Sequence, residues 1–130
     1  MTVERIARLH ASLVFTTLAL ALLMAAVLMY AGWRSRGEPE RLGNVARSGL
    51  WIVQLLVVAE CVLGGLLWNA GVRPARSEVH LIYGVVAFAT LPGVMLYSRN
   101  SPHRRFVQAA GCLFLCAILL RALSTGRGPA

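Results

Sequence analysis

Two histidines, His10 and His80, are the residues whose types and positions are best suited to chemistry. Each begins a long apolar segment. In a bundle of alternating helices the first and third segments run in the same direction, so both imidazoles lie at one membrane face. Two imidazoles that face each other across a bundle core can ligate haem iron from both sides. We therefore predict one haem between them; the alternative is that each histidine is an interfacial residue bonded to headgroups or a nearby carbonyl.

Small residues and arginines extend this prediction. Gly84 follows His80 by one helical turn, and Gly64 and Gly65 of the second segment reach a similar depth at a rise of about 1.5 Å per residue. Their lack of side chains leaves room for a flat ring. Haem propionates need cations, and arginine pairs with carboxylates through two parallel hydrogen bonds. The candidate propionate partners at the histidine face are Arg5, Arg8, Arg73 and Arg76.

Glu60 lies near the middle of the second apolar segment, where an ionised carboxylate is costly. Two interpretations stay open for it. One is a proton-relay or quinone-binding group, and the other is a protonated acid hydrogen-bonded to a neighbour such as Thr17 or Gln54. The cysteines have no zinc-site or disulfide spacing, and the role of Cys112 and Cys116 stays open.

The elements that position these residues are predicted to be membrane helices. Of the 130 residues, 58% are hydrophobic and 14% are charged, whereas soluble domains carry about 25% charged residues. Four apolar segments can each cross about 30 Å of hydrocarbon, and they span residues 9–33, 49–72, 79–98 and 106–125. Short linkers predict antiparallel neighbours, so residues 1–130 form a single all-α, up-down-up-down four-helix bundle. Pro92 predicts a kink in the third helix.

The net charge of +8 comes from arginines at the ends of the apolar segments, where they meet lipid headgroups, so no nucleic-acid partner is predicted. The face of the first and third linkers carries Arg34, Arg36, Arg41, Arg47, Arg99, Arg104 and Arg105. The other face carries Arg5, Arg8, Arg73, Arg76, Arg121 and Arg127. The excess of one arginine puts both termini outside the cytoplasm of a bacterial inner membrane.

A series of motifs over roughly residues 5–98 resembles one four-helix half of haem A synthase. The motifs are Gln54 ahead of Gly64 and Gly65, the turn at 71–74, His80 opening the next helix, and His10 as the matching ligand. The resemblance implies haem b held by histidines of one bundle near the outer membrane face. The family's catalytic half has a Glu three residues before a histidine, where this chain has Ala7 and Ser77, so haem oxidation is not implied.

These observations predict a b-type cytochrome that exchanges electrons with a redox partner. The first alternative is a cofactor-free accessory or assembly subunit of a larger respiratory or photosynthetic complex, in which the glycines are helix-packing sites. The second is an enzyme or transporter that uses Glu60, although the sequence contains no recognisable nucleophile motif or phosphate-binding loop.

Overall fold

The structure, a computed structural model, describes residues 2–34 and 40–126. Four α-helices make up this part of the chain: α1 (Val3–Trp33), α2 (Glu40–Asn69), α3 (Ser77–Ser98) and α4 (Arg104–Gly126). Each helix is long and apolar enough to cross a membrane. The prediction of an all-α membrane bundle is therefore confirmed. Arg36 and Arg127, which entered the charge comparison, lie outside the described residues.

The helices differ in extent from the apolar segments. α1 begins at Val3, ahead of residue 9, and α2 begins at Glu40, so the prediction of a linker up to residue 48 was wrong. The first turns of α2 are amphipathic, with Arg41 and Arg47 exposed and Ala46 buried. An apolar segment ends where the lipid hydrocarbon ends, whereas the helix itself continues into the headgroup region. The sequence pattern therefore underestimates the length of α2.

A glycine sets the end of α2. Gly71 adopts a φ of +83°, and the amide of Val72 donates to the carbonyl of Leu67 at 3.0 Å. This is the glycine-terminated arrangement that satisfies the last carbonyls of a helix, and Pro74 follows shortly after it. The short connection to α3 results from this turn.

The helices form a four-membered ring in which α1 packs on α2 and α4, and α3 packs on α4 and, over a shorter stretch, on α2. Within the described residues the backbone of α1 does not closely approach that of α3, nor that of α2 the backbone of α4, so these pairs are diagonal. Contacts between α1 and α2 run in opposite chain directions, from His10 beside Gly64 to Met24 beside Gly49. Neighbours are thus antiparallel, and α1 and α3 run in the same direction.

In each of the three extensive helix contacts, a side chain of one helix packs against a glycine of its neighbour. Glycines are common where membrane helices approach closely. The pairs are Gly49 with Met24 (α2 on α1), Gly32 with Phe106 (α1 on α4) and Gly111 with Val94 (α4 on α3). A Cβ atom at Gly111 would lie 2.7 Å from Val94 Cγ2. On α2 and α3, by contrast, Gly65 and Gly84 have nothing within 4 Å of such a Cβ position.

Burial is uneven along the bundle. Each helix contributes one fully buried leucine to the core: Leu28, Leu50, Leu91 and Leu115. At the end that holds the histidines, three segments include no buried residue: 2–13, 77–86 and 120–126. The part of α2 beyond Glu60 includes one buried residue, Leu67. The histidine end is therefore the loosely packed end of the described bundle.

Candidate functional site

His10 and His80 lie at the same end of the bundle. His10 is about two turns into α1 and His80 is in the first turn of α3. The two histidines lie on diagonal helices whose backbones make no close contact; His10 lies against α2 at Gly64, and His80 lies against α4 at Ala122.

A backbone carbonyl fixes the tautomer of His80. The ring nitrogen Nδ1 is 3.0 Å from the carbonyl oxygen of Ala122 on α4, and a carbonyl oxygen can only accept. Nδ1 therefore carries the proton in the neutral ring, and Nε2 has a free lone pair. Metal-binding histidines usually have this arrangement, in which the second nitrogen donates to a carbonyl or carboxylate.

The imidazole of His10 is half-buried and has an unsatisfied nitrogen. Its Nδ1 is buried without a hydrogen-bond partner among the described residues. Its Cε1 lies against α2, where a Cβ at Gly64 would be 3.8 Å away. A buried polar atom without a partner costs free energy, so this nitrogen is a place where a ligand or a donor would stabilise the structure.

The structure separates the three glycines predicted to make room for a ring. Gly64 is half-buried and lies beside His10, as described above. Gly84 is half-buried on α3, and its carbonyl oxygen is 3.9 Å from the Cys61 sulfur across the α2–α3 contact. Gly65 is exposed. Gly64 and Gly84 thus lie inside the loosely packed end, whereas Gly65 faces outward.

The four arginines predicted to hold propionates all lie at the histidine end and are exposed: Arg5, Arg8, Arg73 and Arg76. The guanidinium of Arg73 stacks over the ring of Trp68, 4.5 Å from its centroid. None of the four is paired with a carboxylate within the described ranges, 2–34 and 40–126. Their donors are therefore available to anionic groups at this face.

Glu60 is buried, with 6% of its surface exposed, and it hydrogen-bonds with the Thr17 hydroxyl of α1. Of the two neighbours named from the sequence, Thr17 is therefore the partner. Gln54 instead donates to the carbonyl of Phe88 at 3.2 Å. Arg121 is exposed at the end of α4, so it does not neutralise the carboxyl group.

The α4 residues around His80 were not predicted from the sequence. The Ala122 carbonyl bonds the ring, the Thr125 hydroxyl is 3.5 Å from Nδ1, and a Cβ at Gly126 would be 3.3 Å from Cε1. A backbone acceptor has no sequence signature. The spacing of Ala122 and Gly126 by four residues, which puts two small residues on one face of α4, was the available signal.

Other ligand sets are not favoured by the geometry. Within the part of the chain that the structure describes, no three His, Cys, Asp or Glu residues are grouped to hold a metal ion. Cys112 and Cys116 are buried and free, and Cys116 Sγ lies 3.9 Å from the carbonyl oxygen of Leu18. The two cysteines pack in the bundle, away from the histidine end.

Comparisons with known proteins return no match: no family model, no curated protein and no solved structure matches this chain. Functional inference therefore depends on the residues themselves.

Proposed function

We propose that this protein is a membrane b-type cytochrome that binds one haem b between His10 and His80 and exchanges electrons with a redox partner at that face. The observation that carries the proposal is the position of two imidazoles on diagonal, parallel helices at the one loosely packed end of the described bundle. Two ligands from opposite sides of a bundle match the axial geometry of six-coordinate haem iron.

The residues around each imidazole suit this role. The Ala122 carbonyl orients the His80 ring and increases the basicity of Nε2, the nitrogen that would bind iron. His10 enters from the other side, and Gly64 leaves the space beside its ring open. If His10 and His80 both ligated the iron, no coordination position would be left for a substrate, so the haem would supply electron transfer rather than oxygen chemistry.

The charge at this face complements the haem edge. Haem carries two propionates, and the guanidinium groups of Arg5, Arg8, Arg73 and Arg76 are exposed and free of carboxylate partners in the described residues. Bidentate pairing would hold the propionates near the aqueous boundary. The haem edge would then lie close to the surface at which a soluble or membrane-bound redox partner docks.

We also propose a location in a bacterial inner membrane. The arginine distribution supports an orientation with both termini outside the cytoplasm, so the haem would lie near the outer face. A reporter fused to the C-terminus tests this. Alkaline phosphatase, which needs an oxidising compartment, should be active there, and a fusion that is active only with a cytoplasmic reporter would reverse the orientation.

A second candidate is a cofactor-free accessory subunit of a larger membrane complex. It is supported by two exposed glycines that no side chain of the described residues covers. Gly65 and Gly93 are exposed, and a Cβ atom at either position would have no neighbouring atom within 4 Å. Such positions allow close approach of a partner helix. Isolation in a stoichiometric complex without haem would favour this candidate.

The absorption spectrum of the purified full-length protein separates the two. A cytochrome gives a Soret band with a haem-to-protein ratio near one, and it forms a bis-pyridine haem b derivative in alkaline pyridine. A protein that folds as a monomer and takes up no haem when expressed with excess haem would refute the proposal.

A further inference from the structure

Glu60 is the buried titratable group that the haem ligands do not use, and its surroundings are asymmetric. It lies on α2 one helical turn from Gly64, the residue beside His10. At about 1.5 Å per residue it is about 14 Å from the end of α2 at Asn69, and about 16 Å from Gly49, where the apolar segment begins. The two aqueous boundaries are at similar distances, but α2 beyond Glu60 includes one buried residue, Leu67, so the loosely packed histidine end offers the more open path to water.

The Thr17 hydroxyl has two acceptors within reach and one proton. Oγ1 hydrogen-bonds with Glu60 and is also 2.9 Å from the carbonyl oxygen of Leu13. If Glu60 is ionised, Thr17 donates to the carboxylate. If Glu60 is protonated, the carboxyl group donates to Thr17 and the hydroxyl turns to Leu13. Both protonation states therefore keep a satisfied hydrogen bond, and the change between them needs only a hydroxyl rotation.

No cation compensates the carboxylate within the described ranges. Within the apolar part of this half of the bundle, the titratable groups on α2 and the helices packed against it are His10 on α1, Cys61 on α2, and His80 and Tyr83 on α3. The charged groups nearer the end of the bundle are exposed: Glu4, Arg5 and Arg8 on α1, Arg73 and Arg76 between α2 and α3, and Glu78 on α3. Cys61 follows Glu60 in the chain, and a thiol cannot supply positive charge. A buried carboxylate without a counter-charge is costly in a membrane, so its charge depends on any positive centre that appears nearby.

Ferric haem with two neutral imidazoles has one net positive charge at its centre, and ferrous haem has none. The net charge of the haem centre thus falls by one when the iron accepts one electron. A carboxylate that the oxidised haem stabilises would lose that stabilisation when the haem is reduced.

We propose that Glu60 is a redox-linked proton site, at which the carboxylate takes up one proton when the haem iron accepts one electron and releases it when the iron is reoxidised. The inference rests on the proposed function. One electron enters from the redox partner and one proton enters from the aqueous phase at the histidine end, so the buried charge inside the bundle is the same before and after the step.

A potentiometric titration of the haem at a series of pH values tests this. Full coupling of one proton to one electron lowers the midpoint potential by about 59 mV for each tenfold fall in proton concentration. Glu60→Gln keeps the hydrogen-bonding shape and cannot titrate, so it should abolish the dependence that Glu60 contributes. The matched control is Glu4→Gln, because Glu4 is an exposed acid in the first turn of α1 and should leave the dependence unchanged.

Redox-difference infrared spectra give a second readout that does not need the variant to fold. The wild-type protein should gain a protonated-carboxyl band on reduction, with a shift in ²H₂O. Equal pH dependence in wild type and Glu60→Gln would assign the coupling to the propionates and overturn the proposal, as would the absence of that band. A wild-type protein without haem absorbance would instead remove the proposed function itself.

Discussion

The side-chain amide of Gln54 on α2 donates a 3.2 Å hydrogen bond to the carbonyl oxygen of Phe88 on α3. Phe88 is four residues before Pro92, which has no amide hydrogen, so this carbonyl lacks the donor that an α-helix normally supplies from four residues later. α3 continues through Pro92 as one helix. Freed backbone groups in membrane helices are commonly satisfied by a neighbouring helix, and Gln54 does so at the least extensive of the four helix contacts.

This relationship predicts a coupling between two positions. Gln54→Ala should destabilise the bundle by about 1 kcal/mol when Pro92 is present, a magnitude typical of hydrogen bonds between membrane helices. In a Pro92→Ala background the substituted alanine supplies the missing amide, so the same change should cost less. Unfolding in detergent micelles measures both, and equal costs in the two backgrounds would show that the bond to Phe88 contributes nothing.

The close approach of α3 and α4 at Gly111 predicts a steric effect. Gly111→Ala should destabilise the protein by about 1–3 kcal/mol, because the new methyl group would press on the branched Val94 side chain. Gly93→Ala is the control, since it is exposed and has nothing within 4 Å. Thermal unfolding in detergent should lower Tm for the first variant only. A similar Tm in both would mean that the helices adjust freely at this contact.

Loss of the Thr17 hydroxyl should lower the free energy of unfolding, because Glu60 is buried and would lose its hydrogen-bond partner. Thr17→Val leaves the carboxyl group without its partner, which typically costs about 1–3 kcal/mol. Thr16→Val is the matched control because Thr16 is exposed and its hydroxyl bonds to the Ser12 carbonyl of its own helix. Glu60→Leu in the Thr17→Val background should recover stability. No recovery would indicate that valine disturbs packing by its shape.

The fold was largely predictable from the sequence, and the site only in part. Membrane helices are readily detected because lipid requires about 20 apolar residues in a row, and this requirement located all four helices. The same rule could not detect the helical turns before Gly49, because arginine-bearing turns outside the hydrocarbon carry no such requirement. The sequence offered Thr17 and Gln54 as alternative partners of Glu60 and could not choose between them, because the Thr17 and Gln54 bonds, like the Ala122 carbonyl at His80, depend on tertiary contacts.

The contrast between Gly64 and Gly65 predicts different effects on haem content. Gly64→Leu should lower the haem-to-protein ratio severalfold, because a leucine there would occupy the space beside the His10 ring. Gly65→Leu should leave the ratio near the wild-type value, since Gly65 is exposed. Pyridine-haem absorbance against protein concentration measures both. Equal loss in the two variants would contradict the assignment of Gly64 to the haem pocket.

The most direct test of the central claim is the absorption spectrum of the purified protein and of three histidine variants. Wild type and His103→Ala should show the same low-spin b-type spectrum, because His103 is exposed at the opposite end of the bundle. His10→Ala and His80→Ala should each lose the six-coordinate spectrum, through loss of haem or a change to a five-coordinate, high-spin form. An unchanged low-spin spectrum in either variant, or no Soret band in wild type, would contradict haem ligation by His10 and His80.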